Sequence, residues 1–439
     1  MLTGRGASTL LAIMVFSFAS WLTSNPTFII ASLTLVLIFL IETFRLNSAL
    51  SAVRTLDMKR EIMDSKLEVG GRTEVVVRLS NLTSRATGYL VVNDEVPMGF
   101  TIDSGMPRTV SLSGLEDTRV TYSVRAVQMG DYEFDGLSVV AIDALGLFSF
   151  TVHHTMRSRV QVYPHIPAIR TRGGSQAIRT TIIGQKPINE SGLSSDFRGI
   201  REYFPGDDFK HIAWKAVARS ARHSLMTREF ESNRTLSIVL ALHEKRSLLD
   251  GPLGHRKLDY VIEGILAATY AATSEEDRIA LAFGRRIMPL TDPGHSKGHQ
   301  LVHAVESTYN LKPMQDERFQ TLAQSLLENV RRRSLIIAIT DTENYDSLDF
   351  RALGQLLRLN IVRVIVMRTS SLFPKPAVND HVVEIAYDLV LGREKRAIER
   401  MAADCGRLGI QLKVCNPQQF TKTVFEIYLD AKKKGVIVA

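Results

Sequence analysis

Residues 334–367 read "SLIIAITDTENYDSLDFRALGQLLRLNIVRVIVM", and the reading of this stretch decides the fold of the C-terminal half. Ser334–Thr340 is apolar almost throughout, as in a strand buried on both faces rather than one that alternates between core and solvent. "SLDFRALGQLLRL" follows at helical spacing, and Ile361–Met367 is a second continuous apolar run. Strand, helix and strand in this order predict a parallel pair joined by a crossover helix.

The same alternation extends in both directions. Upstream lie a strand in "RTLSIVLAL" (234–242), a helix in "KLDYVIEGILAATYAAT" (257–273), a strand in "DRIALAFG" (277–284), and helical patterns over His295–Ser307 and Phe319–Arg332. Downstream come helix "REKRAIERMAADCGRLG" (393–409), strand "IQLKVC" (410–415) and helix "PQQFTKTVFEIYLDAKKK" (417–434). A doubly wound α/β domain over 235–439 is the expectation, with any ligand beyond the carboxyl ends of its strands. There the first strand runs into "HEKRS" (243–247), which has neither a phosphate-cradling glycine loop nor a dinucleotide fingerprint. The strand ending at Ile339 delivers Thr340 and Asp341, oxygen ligands in reach of a metal. Asp341 by itself reads as a helix cap or turn residue.

Between residues 48 and 163 the rhythm is different. "TEVVVRLSN", "GYLVVND", "TRVTYSVRAV", "GLSVVAID" and "SRVQVYP" alternate with period two and are separated by Gly, Asn, Asp and Pro. This spacing predicts an all-β sandwich. "VGGRTEVVVRLSNLTSRATGYLVVNDEVPMGF" resembles immunoglobulin-like repeats, and the domain reads as a spacer without a ligand of its own.

Residues 1–47 read as a transmembrane hairpin. Ser8–Thr23 and Thr27–Phe44 are uncharged apart from Glu42, and 18 helical residues span roughly 27 Å, close to the hydrocarbon thickness. "SNP" (24–26) makes the turn. Arg5 precedes the first span and Arg45, Arg54, Lys59 and Arg60 follow the second, so both ends are expected in the cytoplasm, with the soluble domains cytoplasmic on an integral membrane protein of the cell membrane. A cleaved signal peptide is the competing reading of the first segment.

Composition adds one local feature. The 439-residue chain carries a net charge of +8, and Arg157–Arg234 alone holds 14 Lys or Arg against 7 Asp or Glu, a net of +7. Such a segment suits anionic lipid, an acidic protein or nucleic acid. The two cysteines, Cys405 and Cys415, have no metal-site spacing.

Residues 164–234 read as a connecting arm ending in "DFRGIREYFPGDDFKHIAWKAVARSARHSLMTREFE" (196–231). Pro205-Gly206 suits a tight turn, and Asp207 or Asp208 can cap a following helix. In that helix Phe209, Ile212, Ala213, Ala216 and Val217 share one apolar face. Trp214 lies off this stripe and is expected in a second internal packing surface, since a large aromatic is mostly buried. Arg201, Arg219 and Arg228 stand against Glu202, Asp207 and Glu229 as candidate ion-pair partners, and a protein-binding role is the alternative reading of the same residues.

This motif, followed at once by an α/β domain, resembles the bacterial and archaeal family called domain of unknown function 58. Arg201, Glu202, Tyr203, Gly206, Asp207, Asp208, Trp214, Ala218, Arg219 and Glu229 match it, and "RAVQMGDYEFDGLSVVAIDALGLFSF" (125–150) and "VQVYP" (160–164) fit the segment upstream. The resemblance implies a von Willebrand factor A-like α/β domain, a membrane anchor and a MoxR-type AAA+ ATPase partner. Such domains often hold a divalent metal through Asp-x-Ser-x-Ser after the first strand, where this chain reads "ALHEKRS". Thr340 and Asp341 are then remnants of a degenerate metal site, and no metal or cofactor is expected.

The expected function is a non-enzymatic scaffold or adaptor that docks the ATPase in assembly or maturation of a membrane or envelope complex. Two alternatives stand beside it. Segment 157–234 binds anionic lipid or nucleic acid, although nucleic acid is the less expected partner. Or His295, His299 and His303, with Glu306 near the same helical face, form a zinc hydrolase site; their favoured reading is a solvated helix face.

Overall fold

The computed structural model describes residues 2–164, 197–205, 207, 209–219, 224–230, 236–291, 295–314, 316–343, 345, 347–373, 375 and 381–433. The arm expected after residue 164 lies largely outside them, as do Gly206 and Asp208 of the motif. The chain divides into two compact units, Met1–Tyr163 and Pro164–Ala439.

The first unit opens with two apolar helices, α1 (Gly4–Thr23) and α2 (Pro26–Arg54). Thr3 caps α1, accepting from the Gly6 amide, and Asn25 caps α2 by accepting from Thr27, with Pro26 at the first position where its missing N–H is not needed. The helices pack through a 2.7 Å hydrogen bond between the Ser17 and Ser32 hydroxyls and through the stacked rings of Phe16 and Phe28. Both are long and apolar enough to cross a membrane by length and composition. α2 runs ten residues past Phe44, and Val53 in its last turn joins Leu56 in the core of the β region.

Nine strands follow: β1 (Asp57–Ile62), β2 (Lys66–Glu68), β3 (Arg72–Ser80), β4 (Tyr89–Asp94), β5 (Phe100–Ser104), β6 (Arg108–Ser111), β7 (Asp117–Ala126), β8 (Gly130–Ile142) and β9 (Ser149–Tyr163). They form two sheets, ordered β1-β3-β7-β5 and β2-β9-β8-β4-β6. Alternate residues face one shared core. Val75, Val77 and Leu79 of β3 and Val120, Tyr122 and Val124 of β7 enter it from one sheet, and Leu90, Val92, Leu137, Val139, Val160 and Val162 from the other.

Within this core lies one buried charge pair. Arg60 Nε donates to Asp94 Oδ2 at 2.9 Å and a terminal nitrogen to Oδ1, while its remaining protons reach the carbonyls of Phe134, Gly136 and Met156 at 2.7–2.8 Å. The Tyr122 hydroxyl donates to Asp94 Oδ2 at 2.5 Å. Burial, with the Asp94 charge beside it, pushes the Tyr122 phenol well above its ordinary value. Every guanidinium proton has an acceptor, so the desolvation cost of both ions is met by hydrogen bonds crossing from the first sheet to the second.

The second unit contains a two-stranded ladder and a six-stranded sheet. β10 (Phe197–Glu202) pairs antiparallel with β11 (Met226–Phe230), and one helical turn, α3 (Trp214–Val217), lies between them. The large sheet has the order β14-β13-β12-β15-β16-β17, from β12 (Ser237–Leu242), β13 (Arg278–Phe283), β14 (Arg286–Pro289), β15 (Leu335–Asp341), β16 (Ile361–Met367) and β17 (Gln411–Cys415). All its pairs are parallel except β13 with β14.

Helices cover both faces. Val239, Ala241, Ile336, Ala338, Val362 and Val364 pack on α6 (Phe319–Asn329), α7 (Ser347–Leu356) and α8 (His381–Arg407). The alternate residues, Ile238, Leu240, Ile279 and Ile337, meet α4 (Lys257–Ser274) and α9 (Phe420–Lys433). α5 (Lys297–Thr308) packs on α4. The helix expected from residue 393 begins at His381, because the apolar pattern "VVEIAYDLVL" joins it without a break. The edge strand β14 was not expected, being only four residues long.

Gly264 sets the distance between α4 and α9: a Cβ there lies 2.5 Å from the buried ring of Phe420. Gly264→Val is expected to lower the stability of this unit by about 1–3 kcal/mol through overpacking, read as an earlier transition in chemical denaturation. Asp94→Ala, which leaves Arg60 buried and unpaired, is expected to cost the β region about 3–5 kcal/mol. The double variant Asp94→Leu with Arg60→Met is expected to recover most of that loss.

Candidate functional site

The sheet order reverses between β12 and β15, and ligands of open α/β sheets sit at the carboxyl end of such a switch point. In this chain the position holds a set of buried charges. Asp341, the last residue of β15, is fully buried. Its Oδ2 accepts from Lys257 Nζ at 2.7 Å and its Oδ1 from Lys245 Nζ at 3.3 Å. Lys257 is the first residue of α4, also fully buried, and Lys245 follows β12. Asp250 Oδ2 lies 3.5 Å from Lys257, so two cations face two carboxylates and the cluster is neutral.

Electrostatics follows from this arrangement. Burial would raise the Asp341 carboxyl, but the charges of Lys257 and then Lys245 outweigh it and hold Asp341 below the ordinary carboxylate range. His243, beside them, makes a 2.7 Å contact from Nε2 to the Glu317 carbonyl and a 3.1 Å contact from Nδ1 to the Thr340 hydroxyl. A carbonyl only accepts, so Nε2 carries the proton and Nδ1 accepts from Thr340. Burial, and then the Lys245 charge, push the imidazolium down to about 4, so His243 is neutral at physiological pH. Lys245 also donates to the Glu343 carbonyl, and Glu317 N to the Glu244 carbonyl at 3.1 Å.

The cluster therefore ties together the segments after β12, before α6 and after β15, and the start of α4. Its chemistry is closed: the imidazole has both nitrogens engaged and the one carboxylate at the strand tip is held by two ammonium groups. Thr340 and Asp341, expected as remnants of a metal set, contact His243 and the lysines instead. A divalent cation at Asp341 would have to displace two buried positive charges, so these residues do not fit one. The role of Asp341 as a cap is corrected to that of a buried counter-ion, although its Oδ1 does accept from Glu343 N at 3.2 Å as a turn residue does.

Sequence reasoning passed over Lys245, Lys257 and His243. One signal was present: Lys257 opens a helix, where the dipole disfavours a cation unless a carboxylate compensates it.

The motif residues form a separate small structure. In the β10–β11 ladder Ile200 faces Arg228, and Arg201 faces Thr227. Asp207 accepts from Arg201 at 2.7 and 2.8 Å and from the Phe204 amide at 3.0 Å. These contacts, Arg201 first, hold its carboxyl below the ordinary range. So the Arg201–Asp207 pair closes the turn after β10, and Asp207 caps no helix. The continuous helix expected after it is also corrected. Phe209–His211 is a 3₁₀ turn, Ile212 bridges to Thr227, and only α3 is α-helical.

The apolar stripe divides accordingly. Ile212 and Ala213 are buried, but Phe209 is exposed. Trp214, expected inside, is 64% exposed, because the broken helix gives it no second surface. Tyr203 packs its ring 5.8 Å from that of Phe209. Glu202, Ala218 and Arg219 are exposed, and Glu229 pairs through its backbone with Gly199.

Of the histidine series, His295 precedes α5 and stacks on His299 at 4.7 Å, while His303 and Glu306 are exposed. Among the described residues no group of three metal-donor side chains converges, so the zinc reading has no geometric support. Most of the basic segment 157–234 lies outside the described residues.

Comparison with known proteins locates this unit. Residues 199–375 match the family described as "Protein of unknown function DUF58". The chain is 27% identical over 198 residues to the uncharacterized protein YeaD of Bacillus subtilis (strain 168), covering 44% of this chain and 49% of that protein. It thus spans about half the length of that curated relative. Solved structures with similarity include native alpha-2-macroglobulin from Escherichia coli (19% identity, 26% of this chain and 17% of that one, TM-score 0.21). The CARDB domain of the PF1109 protein from Pyrococcus furiosus is another (17% identity, 24% and 91%, TM-score 0.17). A third is the cupredoxin domain of amoB from Nitrosocaldus yellowstonii (9% identity, 25% and 87%, TM-score 0.19). At these scores none of the three supports a functional statement.

Two outcomes are expected of the buried cluster. His243 has a folded-state value below its unfolded one, so its contribution is present above pH 6.5 and is lost as pH falls toward 4, about 3 kcal/mol in all. His243→Gln is expected to flatten the stability–pH curve in that window, read by denaturant titration at several pH values. Asp341→Ala is expected to cost about 3–5 kcal/mol at pH 7 by leaving two lysines buried without their carboxylate. Residues 199–375 match the DUF58 family, in agreement with the resemblance carried by the Arg201–Glu229 motif.

Proposed function

We propose that the protein is a non-enzymatic, membrane-anchored scaffold that docks a protein partner through its DUF58 motif. The observation that carries this reading is the surface of the motif. Ile200, Phe204, Phe209, Trp214 and Leu225 are all 43–69% exposed. Apolar side chains concentrated in this way mark interaction surfaces, and Trp and Arg are the residue types that dominate binding energy. Arg201, whose guanidinium lies 5.8 Å from the Phe204 ring, is held in place by Asp207.

The buried cluster supports the same reading from the other side, since the place where an α/β sheet offers ligands is closed by internal ion pairs. The strand order, with one antiparallel edge, supports a von Willebrand factor A-like domain adapted to binding without metal. α1 and α2 serve as the transmembrane hairpin, with the remainder on the cytoplasmic side. The partner we propose is a MoxR-type AAA+ ATPase, and the process is assembly or maturation of a membrane or envelope complex.

The test is co-purification of the detergent-solubilised full chain with the MoxR-type ATPase encoded in the same genome. Association at micromolar concentration is expected, weakened at least tenfold by Trp214→Ala, with the variant's thermal unfolding unchanged. Absence of association, or equal binding by the Trp214 variant, contradicts the proposal.

A further inference from the structure

One face of α8 changes character halfway along its 27 residues. Val382, Ile385 and Leu389 are exposed in its first half. Arg393, Arg396 and Arg400 continue the line. At 100° per residue these six side chains fall within an arc of about 80°. The apolar half is open to solvent, with Ile385 48% and Leu389 58% exposed, and the arginine half borders a cavity of about 390 Å³ beyond the carboxyl ends of β15 and β16.

The cavity is furnished for an oxyanion. Arg393, Arg396 and Arg400 form no ion pair among the described residues, and Val390 connects the cavity to the apolar half. Thr342 is 7% exposed, and its hydroxyl, like that of Thr369, lacks a hydrogen-bond partner among the described residues. Of the two acids at the wall, Glu394 is already engaged, accepting from the amides of Thr369 at 2.7 Å and Ser370 at 3.1 Å and from the Ser370 hydroxyl. Glu343 remains, so three cations outnumber the acids at the wall of the cavity.

We propose that this surface docks an acidic amphipathic segment of a partner protein. Its apolar side chains lie on Val382, Ile385 and Leu389, and a carboxylate enters the arginine cavity. A free phosphate would leave the apolar half uncovered. An anionic bilayer would meet Glu384 and Asp388 on the same turns as the apolar residues and be repelled. The surface rests on the reading that this protein docks a partner, but not on which partner, nor on Trp214.

The test uses the full chain in phosphatidylcholine nanodiscs, with empty discs as blank. The probe is a fluorescein-labelled 16-residue peptide carrying leucine and glutamate at helical spacing, and the control carries lysine for glutamate. The glutamate peptide is expected to bind at least tenfold more tightly than the control. Arg396→Ala with Arg400→Ala is expected to weaken it at least tenfold, Leu389→Ala at least threefold, and Glu343→Gln to strengthen it. These side chains are exposed, so unchanged circular dichroism is expected. Equal binding of the two peptides, or unchanged binding by the arginine variant, overturns the proposal. So does saturation by inorganic phosphate, or adsorption to phosphatidylglycerol vesicles, without peptide binding. Peptide binding that persists when the ATPase fails to co-purify supports this surface and removes only that partner.

Discussion

Asp341 sits at the tip of a central strand with its two oxygens against the ammonium groups of Lys257 and Lys245, and the rest of the α/β unit is arranged around that contact. A fully buried carboxylate costs several kcal/mol unless charge and hydrogen bonds compensate it. Here compensation comes from three separate segments, so satisfying one acid fixes the start of α4 and the chain after both β12 and β15. An apolar cluster of the same volume would stabilise as well. What the charges add is a unique arrangement of loops, since any other leaves an ion unpaired.

The same contact bears on function. An α/β sheet of this order presents its switch point as a ready site, and this protein closes it with neutral His243 and a balanced set of charges. In the function proposed above, recognition falls to exposed side chains: the aromatic residues of the motif, and the apolar and basic face of α8. Both surfaces combine exposed apolar groups with arginines, which suits binding of a protein better than turnover of a small molecule.

Much of this was legible from residues alone. Continuous apolar runs such as Ile361–Met367 gave parallel strands within a residue or two of their observed bounds, and period-two alternation gave β3, β4, β7, β8 and β9. What could not be read was tertiary. β1 carries Lys59, Arg60 and Glu61 and looks like a surface segment, yet Arg60 is buried because Asp94 and three carbonyls lie 34 to 96 residues away. The motif helix failed as an expectation because helical periodicity over Phe209–Val217 competes with pairing of Ile212 and Ala213 to β11. Asp341 was noticed for its position, but its lysine partners lie 96 and 84 residues upstream. Spacing in a sequence does not connect such residues.

The charge of Asp341 is either used inside the protein or offered to a ligand. Titration of the purified full chain with Mn²⁺, followed by electron paramagnetic resonance, measures this directly. No stoichiometric binding below millimolar concentration is the result predicted by two lysines in contact with one carboxylate. Stoichiometric binding that disappears in Asp341→Asn would contradict it.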